Sequence, residues 1–307
     1  MCTHRDVAPA MTSPADRTID AVRSTHDQLS AVVSRLSDDD LDAPSAASEW
    51  TVAQVLSHLG SGAEIFHATL RATLAGEDNP GPEFNQQVWD RWNALSPRGQ
   101  ATGFLAADEE LVTALESLTA DQRQGLTVAL GFLPSPLPLA AYTAMRLNEA
   151  AQHSWDVRVP FDPGAAIAAD TAVLLAEHFA TDIGFLLGFT GKADALTQPS
   201  VVDIHGTGFT LTIADSVSLA RVSSDTVSPD MVSSDTVSSD TVSSDTVSSD
   251  TVSMKTSAPE PTATFTGPLE AAIRLLSGRL TAQHTADDVH VSGNVTLDDL
   301  RRVFPGY

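Results

Sequence analysis

The chain has 307 residues, 42% of them apolar, a length that predicts about two domains, each able to bury its own core. It sets 17 Lys and Arg against 40 Asp and Glu, and the resulting formal charge of −23 excludes broad attraction to nucleic acid or to an anionic membrane surface. Cys2 is the only cysteine, which excludes a disulfide framework, a cysteine-based zinc knuckle or a CxxC redox pair within one chain.

The N-terminal stretch MCTHRDVAPAMTSPAD lacks the apolar core of a signal peptide and is expected to be disordered over residues 1–14, with Met1 or Met11 as the start. From Ala15 to Leu36 the residues Ile19, Val22, Leu29, Val32, Val33 and Leu36 recur at helical spacing. SDDDLDAPSAASEW reads as a loop. Thr51, with Gln54 three residues on, makes a capping box. The helix that it opens carries Val52, Val55, Leu56, Leu59, Phe66, Leu70 and Leu74 on one face and stops at GEDNPGP. Further helices are predicted over about 83–95, 104–118 and 139–157, with no strand before residue 160, so residues 15–162 are expected to form an up-and-down helical bundle. Trp89 and Trp92 are expected in its core.

Residues 163–307 read as an α+β domain. DPGAAIAADTAVLLAEHFATDIGFLLGF predicts one helix ending at Gly191, and Glu177, His178 and Asp182 interrupt it as a membrane span. VVDIHGTGFTLTIAD predicts a β-hairpin, TATFTG a short strand, PLEAAIRLLSGRL a helix opened by Pro268, DDVHVSG another strand and VTLDDLRRVF a closing helix. Between hairpin and TATFTG lies a tandem five-residue repeat, TVSSD, over about 222–256, which carries six aspartates and no aromatic residue. A period of five fits neither helix nor strand, and the composition buries too little apolar surface to order, so a disordered low-complexity insert is expected. A soluble, cytoplasmic protein, monomeric or weakly dimeric, is the overall expectation.

On the helix over 139–157, Tyr142, Met145, Glu149, His153 and Asp156 share one face. A carboxylate and an imidazole one turn apart can bind one metal, although such pairs more often form ion pairs. A third ligand would come from the earlier helix, where periodicity does not choose between His58 and His67.

EWTVAQVLSHLGSGAEIF resembles the second-helix signature of the mycothiol-dependent maleylpyruvate isomerase family, a branch of the DinB-like metal-binding bundles. MRLNEAAQHSWDVRV resembles the later helix of that family, and ATFTGPLEAAIRLLSGRL its sterol-carrier-like C-terminal domain. The resemblance implies His58, Glu149 and His153 as ligands of zinc or another divalent metal and Arg279 as a functional arginine that clamps a substrate carboxylate. It leaves His67 to packing and lets Tyr142 and Met145 line the cofactor pocket. Asp156 orients His153 or is a helix-end charge. The implied cofactor is mycothiol, whose thiolate adds to a small electrophilic, maleylpyruvate-like substrate. Bond rotation and thiol release make the protein an isomerase; release of the adduct makes it an S-transferase. The alternative is a non-catalytic metal- or ligand-binding protein of the same fold. The repeat is expected to separate elements that pair.

Overall fold

A computed structural model describes residues 13–47, 49–222 and 260–306. Apart from Val222 and the residues from 260 on, the repeat and its flanks lie outside the described residues, as do Cys2 and both candidate start methionines.

The N-terminal half is built on four long helices, α1 (Pro14–Val33), α3 (Val52–Ala75), α5 (Pro97–Glu116) and α7 (Leu139–Arg158), with the shorter α2 (Asp38–Asp42), α4 (Pro82–Asn93) and α6 (Ala120–Gly125) beside them. The capping box at the start of α3 forms: the Gln54 N–H donates to Thr51 Oγ1 at 3.2 Å, and the Thr51 N–H donates to Gln54 Oε1 at 2.8 Å. The same device starts α2, where Ser37 and Asp40 replace the expected loop by a short helix. α5 begins earlier than its apolar periodicity indicates, because Ser96 caps it and Pro97 presets its first turn. Two residue pairs, Thr127–Val128 (β1) and Leu137–Pro138 (β2), form an antiparallel ladder before residue 160, where none was expected.

Trp92 is buried and fills a slot between α3 and α5, where a Cβ on Gly60 would stand 2.1 Å from its ring and one on Gly103 3.1 Å away. Trp89, in contrast, is 44% exposed and does not belong to the core.

The second half opens with α8 (Ala169–Phe179), which does not run on to Gly191 as predicted. The chain breaks after Phe179 and resumes as a short turn and α9 (Leu187–Thr190), bent by 83°. A Cβ on Gly184 would lie 2.7 Å from the Phe179 carbonyl oxygen, so glycine permits the close return. The break lets Ile183 and Leu187 enter the core together. No single described helix is long and apolar enough to cross a membrane, although the bent pair passes by length and composition.

Five strands follow: β3 (Ser200–Ile204), β4 (Phe209–Ile213), β5 (Val217–Arg221), β6 (Ala263–Thr266) and β7 (His290–Gly293), in the order β5-β4-β3-β6-β7. All neighbours are antiparallel except β3 and β6. β5, absent from the sequence reading, buries Val217 and Leu219 in alternation. The repeat therefore follows an edge strand, and the strands that flank it pair with others and not with each other. α10 (Leu269–Leu276) and α11 (Leu297–Val303) complete this half. One apolar cluster is continuous across both halves, running from Val22, Leu147 and Trp155 through Leu175 and Ile183 to Phe265, Ile273 and Phe304.

A buried ionic network crosses the bundle interior. Arg146, 2% exposed, donates from Nη2 to Asp108 Oδ1 at 2.5 Å and to the Leu59 carbonyl at 3.1 Å, while His26 Nδ1 meets Asp108 Oδ2 at 2.7 Å. Burial works to raise the Asp108 carboxyl, but Arg146 and His26 outweigh it and hold the group below the usual carboxylate range.

Two outcomes follow from this packing. Gly60→Ala drives a methyl group into the Trp92 ring and is expected to cost about 1–3 kcal/mol in chemical denaturation; an unchanged midpoint would contradict the slot. Asp108→Asn is expected to cost about 3–5 kcal/mol at neutral pH by stranding Arg146. Because folding depresses the Asp108 pKa, its contribution is complete above about pH 4 and disappears as the pH falls through the lower folded-state value. The stability gap between wild type and variant is thus expected to narrow on acidification.

Candidate functional site

α3 and α7 pack side by side and bring His58 opposite Glu149 and His153. One donor atom from each of the three side chains lies within 4.8 Å of the others. His58 Nε2 is 2.9 Å from Glu149 Oε2, and His153 Nε2 is 3.7 Å from the same oxygen. The helical pitch sets the Glu149–His153 spacing; the pairing with His58 is tertiary.

Asp156, one turn beyond His153, is wholly buried and accepts from His153 Nδ1 at 2.8 Å. Its two oxygens also receive Arg279: Nε donates to Oδ1 at 2.9 Å and Nη2 to Oδ2 at 2.7 Å. Arg279 reaches this position from the turn after α10. There Gly278, at φ +74°, passes so close to Gly306 that a Cβ would stand 2.2 Å from the Gly306 Cα, and the Arg279 N–H returns to the Arg274 carbonyl at 2.7 Å. The third nitrogen, Nη1, donates to the Ser277 carbonyl at 3.2 Å. Gln152 strengthens the same junction by accepting from Ser277 Oγ at 2.9 Å.

The loop before α3 forms the roof. Its Ala46 N–H donates to the Asp156 carbonyl at 3.0 Å, and Glu49 takes a positive φ of 69°, uncommon for a residue with a side chain. Trp50 thereby lies against both imidazoles, its ring 5.3 Å from His58 and 6.2 Å, stacked, from His153. The cavity beneath it measures about 660 Å³. Trp50, Phe179, Leu186 and Leu276 supply much of its apolar wall, with Glu149, His153 and Arg279 at its polar end.

The charges follow from this placement. The Glu149 side chain is 41% accessible, and that surface opens onto the cavity. Burial works to raise its carboxyl, but the hydrogen bond from His58 and the charges of His153, His58 and Arg279 prevail and hold it at about 2. Burial lowers His153 despite the Asp156 carboxylate, which favours the neutral imidazole that a metal requires. With Nδ1 facing Asp156, the His153 lone pair available to a metal is on Nε2, the atom turned toward Glu149. The donor set of two imidazoles and one carboxylate therefore fits a divalent ion such as zinc.

The other sequence-derived candidates lie elsewhere. Tyr142 is 1% exposed, stacks 4.8 Å from Phe66 and donates its hydroxyl to the Phe66 carbonyl at 2.5 Å. Burial drives its phenol above the ordinary range. Met145 packs half-buried against the main core. Neither lines the cavity, because their shared helical arc with Glu149 continues past the end of the pocket into the bundle. His67 faces a different groove, with Glu64, Arg71 and Glu110. Arg279 reaches the cavity with its guanidinium bound to Asp156 through Nε and Nη2. Asn148 was not singled out from the sequence, yet it lines the cavity with a buried Oδ1 that has no hydrogen-bond partner.

The antiparallel helical bundle thus carries a two-histidine, one-carboxylate cluster and packs against an α+β half. Residues 22–158 match the family model described as the mycothiol maleylpyruvate isomerase N-terminal domain. The fold is similar to a crystal structure of the mycothiol-dependent maleylpyruvate isomerase, at TM-score 0.57 and 14% identity, over 92% of this chain and 95% of the other. A crystal structure of that isomerase with a histidine-to-alanine mutation aligns at TM-score 0.58, with the same identity and coverage. Among curated proteins, no match to this sequence is found.

Asp156→Ala is expected to cost about 3–5 kcal/mol in urea unfolding, because it strands Arg279 at a buried position. Asp156→Ala/Arg279→Ala together should cost less than the sum of the single changes, and strict additivity would refute the coupling.

Proposed function

We propose that this protein is a metal- and thiol-dependent enzyme, an isomerase or S-transferase, acting on a small electrophile. His58, Glu149 and His153 hold the divalent ion, with zinc the best match to the donors, and the sulfur comes from a low-molecular-weight thiol of the mycothiol type. The observation that carries this reading is the convergence of three ligand atoms within 4.8 Å at the polar end of the cavity. Three protein ligands leave a tetrahedral ion one open position, the arrangement of catalytic and not structural zinc. When bound, the ion supplies positive charge that stabilises a thiolate against its thiol.

The chain's own residues prepare this chemistry. Asp156 holds the proton of His153 at Nδ1 and so keeps Nε2 directed at the donor set. Arg279 fixes Asp156 by two charge-assisted hydrogen bonds and is a positioning residue in this arrangement. Trp50 lies against both imidazoles and limits how their rings can turn. Cys2 is the only cysteine in the chain, so an external thiol is the coherent source of the nucleophile. The family model that the bundle matches and the fold shared with a mycothiol-dependent isomerase support the same reading.

The purified protein is expected to hold about one equivalent of zinc per chain. His58→Ala should lose it while keeping its helical circular dichroism. Mycothiol added to the cobalt-substituted protein should shift the visible cobalt bands. A protein that retains no divalent metal, or whose cobalt bands ignore the thiol, would overturn the reading.

A further inference from the structure

We infer that Arg146 is a positioning residue for the metal donors: it fixes the register of α3 against α7 and so brings His58 to Glu149. This rests on the proposed metal reading and concerns what holds the two donor-bearing helices in place. Glu149 and His153 share a helix, so pitch sets their spacing, but His58 reaches them only if α3 lies at one height along α7. One helical turn spans about 5.4 Å, whereas metal–ligand distances tolerate only about 0.2 Å of error. Apolar contacts are non-directional and do not by themselves select a height that finely. A hydrogen bond to a single carbonyl is directional and does.

Such bonds stand beside the donors. Arg146 precedes Glu149 by about one turn on α7, and its Nη2 donates at 3.1 Å to the carbonyl of Leu59, the residue after His58. Tyr142, one turn further back on α7, donates its hydroxyl to the carbonyl of Phe66, two turns further along α3. The two bonds act in series along one antiparallel seam. Arg146 is itself held: Asp108 of α5 accepts from the same Nη2 at 2.5 Å, and His26 of α1 lies 2.7 Å from the other Asp108 oxygen. All four long helices of the bundle thus meet around one guanidinium. Stability alone does not account for it. Apolar side chains often match or better a buried ion pair, whose best-attested use is to set register, and Arg146 Nε stays buried with no partner.

The test uses the full-length protein and measures zinc affinity by competition with a chromophoric chelator, with the visible bands of the cobalt form as a second readout. Asp108→Asn/Arg146→Met removes the guanidinium without stranding a buried charge, so the bundle is expected to keep its helical circular dichroism. Its zinc affinity is expected to fall about tenfold or more, with altered cobalt bands. Leu211→Ala, on β4 of the other half, is expected to lower the unfolding midpoint yet keep zinc affinity within about twofold. Wild-type zinc affinity in the folded double variant overturns the inference. An equal loss in Leu211→Ala also overturns it, since the effect would then be one of general stability. If the double variant loses its helical signal, Tyr142→Phe decides, because it removes one hydroxyl and leaves the ring on Phe66. Zinc binding about threefold weaker is then expected, and unchanged binding overturns the inference. Wild-type protein that binds no zinc refutes the metal reading itself, and this inference with it.

Discussion

Asp156 is the point on which the rest of the site depends. It is a carboxylate with no exposed surface, and a buried charge is tolerated only when its partners replace the water that it has lost. Those partners come from two parts of the chain: His153 from the same helix, and Arg279 from the turn after α10. The orientation of one imidazole in the donor set is therefore conditional on the second half of the molecule being docked. The apolar cluster that runs through both halves, together with the Gln152–Ser277 hydrogen bond, maintains that docking.

The same interaction shapes the chemistry of the cavity. The guanidinium that faces the pocket is oriented by Asp156 through Nε and Nη2. A ligand meets a polar end made of His58, Glu149, His153 and Arg279, a roof made of Trp50, and apolar walls drawn from α8, the turn before α9 and α10. The break between α8 and α9 takes part in this, since it places Leu186 and Thr190 on the cavity wall, where a straight helix would have carried them away. The sterically enforced turn at Gly278 does the same for Arg279.

Much of the fold was legible because local rules and burial agree. Thr51 and Gln54 announce the start of α3, apolar spacing announces α1, α3 and α7, and Gly-rich alternation announces the β3–β4 hairpin. The failures share a cause. α8 and α9 read as one apolar run because periodicity cannot register a close backbone contact such as that of Gly184 with Phe179. Trp89 and Trp92 lie three residues apart on one helix, and only the groove between Gly60 and Gly103 decides which of them is buried. β5 was hidden because its short alternation adjoins the repeat and its partner β4 had already been read as half of a hairpin.

For the candidate site, helical pitch by itself puts Glu149, His153 and Asp156 on one face, since residues three and four apart meet on a helix. The same pitch also offered Tyr142 and Met145, and it left His58 and His67 unresolved. The chain by itself determined which chemistry was available: two imidazoles and a carboxylate at helical spacing, one guanidinium after a glycine, and no cysteine beyond Cys2. Only the tertiary structure decided that His58 meets Glu149, that Tyr142 turns into the bundle, and that Arg279 is bound to Asp156. Spacing along one helix specifies a direction around its axis, whereas the packing of other elements sets where along that axis a cavity opens and which charges share it.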